Sequence, residues 1–123
     1  MFFVGIDIAK NSHEAAIIGE SGDIVVKPFK FANSLKGFEK FLAAVQGVSE
    51  DLSQFEFGME ATGHYWLNLY TKLIDFNVVV HVINPVQSDA LRGLYIRKTK
   101  NDAKDAFIIA ELIRFGKYSE TTL

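Results

Sequence analysis

Two apolar runs in this 123-residue chain end on or close to an acid, and each carries a glycine two residues before it. The first is Phe2-Phe3-Val4-Gly5-Ile6-Asp7-Ile8 and the second is Phe55-Glu56-Phe57-Gly58-Met59-Glu60. Short runs rich in aromatic and β-branched residues read as strands. Side chains alternate along a strand, so Gly5 and Asp7 share one face while Phe2, Val4, Ile6 and Ile8 share the other. Gly58 and Glu60 are likewise set against Phe55, Phe57 and Met59. Acids are rarely buried unless they are paired or bound to a metal, so a chain that uses this device twice must bring its carboxylates to a special place. A glycine beside each acid would leave room for an ion or a phosphate backbone to approach.

A third segment adds two more acids. Asp102 and Asp105 open a helix whose apolar stripe continues as Ala106, Ile109, Leu112 and Ile113. At a spacing of three they project from one side, and the first turn of a helix favours negative charge. Four converging acids without a matched set of buried bases suggest a cation site, for Mg²⁺ or Mn²⁺. Each acid also has a structural explanation when taken singly: Asp102 as a helix-start acid, Glu60 as a cap, Asp7 as a buried hydrogen-bonding group. That account fits the four together far less well.

Around these acids the chain reads as strand, strand, strand, helix, strand, helix, strand, helix. Strands are expected at 2–8, 13–19 and 24–31, the last two separated by the turn Ser21-Gly22-Asp23. Ser34 caps a helix to about residue 46, with Leu35, Phe38, Phe41, Leu42 and Val45 at helical spacing. A strand at 54–60 follows, then a helix from Thr62 or Gly63 to Phe76, a buried strand at 77–83, an irregular basic stretch at 86–100 and a helix at about 101–115. Short connections make the first three strands an antiparallel meander, and helical crossovers make strands one, four and five parallel. The expected fold is an α/β, ribonuclease-H-like mixed five-stranded sheet with flanking helices. If strands one and four are neighbours, Asp7 and Glu60 meet at their carboxyl ends, where open α/β sheets bind ligands.

Composition sets the remaining limits. The length suits one domain, 1–123. The absence of cysteine excludes disulfides and thiolate zinc and fits a reducing, cytoplasmic setting. The opening apolar stretch has no basic lead and is broken by Asp7, so it does not read as a signal peptide; no run approaches the roughly 20 apolar residues of a membrane span. A net charge of −2 argues against a protein that coats DNA nonspecifically. The basic residues are nonetheless concentrated, with Arg92, Arg97, Lys98, Lys100 and Lys104 just before and within the acidic helix start. Such a strip suits phosphate contact beside a metal site, and it also suits a solvated basic loop.

Three motifs, Gly5-Ile6-Asp7-Ile8-Ala9-Lys10, Glu60-Ala61-Thr62-Gly63-His64-Tyr65 and Lys98-Thr99-Lys100-Asn101-Asp102-Ala103-Lys104-Asp105-Ala106, resemble in order those of DEDD-type transposases. These insertion-sequence recombinases are related to the Piv DNA invertase, and their amino-terminal domain is similar to the Holliday-junction resolvase RuvC. The resemblance covers nearly the whole chain, and it implies that Asp7, Glu60, Asp102 and Asp105 form the catalytic, metal-binding tetrad. It further implies two divalent ions, Mg²⁺ or Mn²⁺, phosphodiester cleavage and strand transfer on DNA, a structured guide RNA as a possible partner, and a homo-oligomer in the full-length form. Family members continue into a mainly helical carboxy-terminal domain bearing a serine, which nothing here matches, so the chain is expected to be a fragment. Two rival readings stand beside this one: a stand-alone resolvase-like nuclease, and a noncatalytic nucleic-acid or protein-interaction module left by a truncated transposase.

Lys10, directly after the Asp7 strand, suits either a phosphate contact or a solvated turn. His64 suits a phosphate or proton contact, or a polar helix start. Tyr65 and Trp66 could stack on a base, though their spacing with Leu69 and Leu73 fits core positions better. His13 and His81 lie within strands, where structural roles are expected. The last helix carries a second apolar face, Phe107, Ile108 and Phe115, which should pack against something.

Overall fold

The computed structural model describes residues 1–84 and 105–116. Strands β1 (Phe2–Asp7), β2 (Ser12–Ile18) and β3 (Ile24–Ala32) lead into helix α1 (Leu35–Val48). A single 3₁₀ turn at Leu52–Gln54 precedes β4 (Phe55–Glu60), followed by α2 (Trp66–Ile74), β5 (Val79–Ile83) and α3 (Asp105–Phe115). The five strands form one sheet in the order β3-β2-β1-β4-β5. β1, β2 and β3 are antiparallel neighbours, whereas β4 runs parallel to β1 and β5 parallel to β4. This is the expected mixed sheet, with β1 at its centre.

The alternating pattern of β1 and β4 sorts their side chains onto two cores. Val4, Ile6, Ile8, Phe55, Phe57 and Met59 face the layer made by α1 and α2, where Phe38, Phe41, Val45, Trp66, Leu69 and Leu73 are buried with them. Phe31 and Phe41 stack with ring centroids 4.7 Å apart at the middle of this layer. On the opposite face, Phe3, Ile18 and Ile83 are covered by Ile109, Ala110, Leu112 and Ile113 of α3. Each fully buried side chain of this size contributes roughly 1.5–3 kcal/mol, so both faces are needed to hold so small a sheet.

The glycines of the two acid-bearing strands serve this second core. A Cβ on Gly5 would overlap the Ala106 carbonyl oxygen and the Ala110 amide nitrogen, and one on Gly58 would press on the Ile113 side chain at 2.7 Å. The expectation that these glycines leave room for an ion or phosphate is therefore corrected. Gly5 lets the α3 backbone sit against the sheet, a close helix–strand approach that glycine permits, and Gly58 makes room for the Ile113 side chain.

Other boundaries differ for local reasons. Ser34 caps α1 as expected, its hydroxyl accepting from the Gly37 amide at 3.1 Å. α2 begins at Trp66, later than the spacing suggests, because Gly63 adopts φ of 58° and breaks the helical path. The Trp66 indole N–H then donates to the Gly63 carbonyl at 3.1 Å, fixing the ring in the core. Of the second apolar face of α3, Ile108 is fully buried and Phe107 borders an apolar hollow with Ala16, Ile18, Ile24 and Pro28 of the meander. Phe115 stays half exposed, with the Arg114 guanidinium 4.4 Å above its ring. No described helix is long and apolar enough to cross a membrane.

Candidate active site

Asp7 and Glu60 occupy the carboxyl ends of the two central parallel strands. Their register pairs Gly5 with Gly58 and Ile6 with Met59, so the next step sets Asp7 alongside Glu60. Both lie on the sheet face that α3 covers, and Asp105 begins that helix. Asp7 and Asp105 line one cleft of about 390 Å³, together with Ala9, Ser12, His13, Glu14 and Lys30. Glu60, one strand over, is buried. The structure thus brings Asp7, Glu60 and Asp105 to one end of the sheet, with Asp105 at a helix start where negative charge is favoured.

Asp102 lies outside the described residues, as do Arg92, Arg97, Lys98, Lys100 and Lys104. Among the described residues, no group of three or more histidines and acids stands close enough together to hold a metal ion. The three described acids offer carboxylate oxygens, the chemistry that hard divalent cations prefer, and Mg²⁺ usually takes one or two carboxylates and completes its shell with water and substrate phosphate. In donor type and number Asp7 and Asp105 meet that demand, with Glu60 beside them.

Glu14 and Lys30 are the cleft residues that the sequence did not single out. The β1–β2 register sets Asp7 opposite Glu14, and the β2–β3 register sets Glu14 opposite Lys30. Three charged side chains therefore form a row across three strands on one face. Counting outward from the Ile8–Ser12 turn would have found Glu14. Lys30 was hidden, because two register shifts interrupt the β2–β3 ladder.

Lys10 is exposed on the turn that leaves β1. That turn is fastened from both sides: the Ala9 amide donates to His13 Nδ1 at 3.2 Å, and the Asn33 side-chain amide donates to the Lys10 carbonyl at 3.2 Å. His64 and Tyr65 are exposed beside each other, whereas Trp66 is buried in the core. His81 Nε2 lies 2.7 Å from Glu56 Oε1 across the edge of the sheet, a structural pairing.

His13 is almost wholly buried against the edge of the Phe31 ring. Burial lowers its pKa below the ordinary histidine value, and the positive Lys72 adds to this; the nearby Asn33 side chain works in the opposite direction, while Nε2 has no hydrogen-bond partner among the described residues. Since Nδ1 accepts a hydrogen bond, the folded ring is neutral. In the unfolded chain it takes up a proton at a higher pH than in the folded one. The stabilisation is therefore complete above the unfolded pKa of about 6.5 and is lost as the pH falls through the lower folded value. Thermal melts between pH 7 and pH 5 should show a steeper fall in Tm for the wild type than for His13→Asn, whose amide oxygen can replace Nδ1 without titrating. Parallel curves would mean that His13 does not titrate in this way.

The described fold is that of RuvC, a ribonuclease-H-like nuclease fold. The structure is similar to T. thermophilus RuvC solved in complex with a Holliday junction substrate, with a TM-score of 0.65 over 98% of this chain and 100% of that one at 14% identity. A second Thermus thermophilus RuvC structure matches over the same shares with a TM-score of 0.64 at 15% identity. The sequence pattern of the IS110-type DEDD transposases matches residues 4–123, and the chain belongs to that family. It is also 31% identical over 114 residues to the pilin gene-inverting proteins of Moraxella bovis and Moraxella lacunata, covering 93% of this chain. The chain spans 34% of the length of those relatives.

Proposed function

We propose that this domain cuts and joins phosphodiester bonds in DNA, using divalent metal held by Asp7, Glu60 and Asp105, with Asp102 as the fourth acid. The observation that carries this reading is the level placement of Asp7 and Glu60 on neighbouring parallel strands, with Asp105 starting the helix packed on the same face. Membership of the transposase family and the RuvC fold support it. When bound, divalent ions supply Lewis acidity at the scissile phosphate and at the attacking and leaving oxygens. The chain's own residues do the rest. Asp7 ends the central strand, paired with Glu14 on one side and one step past the Ile6–Met59 pair on the other; Glu60 is fixed in a buried position; Asp105 approaches the cleft from the helix. Together they concentrate negative charge that repels a phosphate until cations are present, which makes the site selective for a metal-loaded state.

DNA is the proposed substrate, and Lys10, Arg92, Arg97, Lys98, Lys100 and Lys104 are the proposed phosphate contacts. Complete transposition or inversion, strand transfer, a guide RNA and a homo-oligomer belong in this reading to a protein of the relatives' full length. The test is a branched-DNA cleavage assay on this chain with Mn²⁺ titrated in, run beside a thermal melt. Millimolar Mn²⁺ should raise Tm by several degrees, since an ion at ten times its Kd contributes about 1.4 kcal/mol, and cleavage should appear over the same range. A melting curve that Mn²⁺ leaves unmoved would remove the metal reading.

A further inference from the structure

Beyond Glu14 the acidic cleft is adjoined by a further hollow toward the edge of the sheet. A second hollow shares Ser12 and Lys30 with it and is rimmed by Lys36 and Lys40 of α1. The fold forces these lysines together. Lys30 stands two strands from Asp7 in the charged row, roughly 10 Å at the usual strand spacing. A Cβ on Gly37 would overlap the Ala32 carbonyl, so the first turn of α1 sits directly on the end of β3. Lys36 and Lys40 share a helix face at a spacing of four, and Lys40 Nζ donates to the Lys30 carbonyl at 2.9 Å. The first turn of α1 carries no acid. Glu39 lines a different hollow, with Lys72 and Asp75. Charge therefore changes sign between two adjoining hollows, which together form a trough from carboxylates at the sheet centre to lysines at its edge.

We infer that this trough is the path of the DNA backbone as it leaves the acidic cleft, with Lys30, Lys36 and Lys40 each neutralising a phosphate. The inference rests on the reading of the cleft as the cleavage site. A polymer is required, because Lys30 lines the acidic cleft while Lys36 and Lys40 line only the hollow beyond it, so the three serve successive phosphates. It is the cleaved polymer, because the trough opens out of the cleft itself. All three lysines are exposed, so their charge is available to a ligand.

The test is fluorescence anisotropy of the 123-residue chain with a short labelled DNA duplex, in EDTA, over roughly 50–200 mM salt. Replacing Lys30, Lys36 and Lys40 together by alanine should flatten the slope of log affinity against log salt by about 2.7, at roughly 0.9 per phosphate contact, and weaken binding at least tenfold at the low-salt end. Replacing the three by arginine should restore both. The variant Lys27→Ala, at an exposed lysine that lines neither hollow, should leave the slope unchanged. An unchanged slope in the triple variant, an equal loss in the control, absence of duplex binding by the wild type, or a loss confined to single-stranded RNA would each overturn the inference. Retention of the Mn²⁺ melting shift in the triple variant separates failure of the trough from failure of the metal site.

Discussion

Asp7→Asn should leave the metal-free domain as stable as the wild type, or more stable, and should abolish the stabilisation by Mn²⁺. The reason lies in what surrounds the carboxylate. Among the described residues, Glu14 faces it across the β1–β2 ladder, Glu60 lies one strand over and Asp105 shares its cleft, so acids outnumber Lys30, the cation that lines the same cleft. Neutralising one of several like charges relieves repulsion, whereas removing a structural acid forfeits charge-assisted hydrogen bonds worth roughly 1.5–3 kcal/mol. The two roles therefore give opposite signs in the same denaturant melt. Glu60→Gln and Asp105→Asn should behave like Asp7→Asn, and each should eliminate cleavage in the full-length context. Asp102→Asn should be mixed, because a charge at the helix start is also favourable there. Strong destabilisation of the metal-free chain by Asp7→Asn and Glu60→Gln would show that the acids hold the fold together, and the site assignment would fall.

The second large effect is expected at Gly5. A methyl group there meets backbone atoms of α3, which cannot swing aside as a side chain would. Overpacking a core typically costs about 1–3 kcal/mol, and a clash with helix backbone belongs at or beyond the top of that range. Gly5→Ala should therefore lower stability by about 3 kcal/mol or more, a large share of the roughly 5–15 kcal/mol available to a domain. Because α3 carries Asp105, the same variant should lose Mn²⁺ stabilisation even where the sheet survives. Limited proteolysis would locate the damage, with cleavage appearing first within α3. Gly58→Ala should be milder, since it meets the flexible Ile113 side chain. Equal stability of Gly5→Ala and wild type would refute the close packing of α3 on β1.

These residues also show where sequence reasoning reached and where it stopped. The repeated glycine-then-acid pattern predicted both central strands and their faces, and the in-register pairing of Gly5 with Gly58 follows from it. What fills the space beside a glycine is a tertiary fact, and here it is α3 rather than a ligand. The meander was readable from its turns, but its register was not. Continuing from the pairing of Ile18 with Ile24 would place Pro28 opposite Glu14; the two register shifts bring Lys30 there instead. Pro28 has no amide to give a ladder, and β3 is the edge strand where proline and irregular pairing are tolerated.

Glu111 limits the rule that flagged Asp7. It too interrupts an apolar run and is buried, yet its carboxylate is met one turn on by Arg114, at 2.8 Å and 3.2 Å. Arg114 also donates to the Glu20 carbonyl at 3.3 Å, tying α3 to the β2–β3 turn. An acid in an apolar run therefore marks a constraint, and only its neighbours in space decide whether that constraint is structural or chemical.

The docking of α3 also sets an order of assembly on the ribosome. By residue 84 the emerging chain holds every described strand, the other two described helices and two of the acids, with Phe3, Ile18 and Ile83 still uncovered on one face. Asp105 is translated 45 residues after Glu60, on the helix that seals that face. At roughly 5–20 residues per second, the nascent sheet spends some seconds shaped but unarmed. If the cleft works as proposed, closing that face and completing the acid set become one event, so a chain stalled before α3 would carry the sheet without its third described acid.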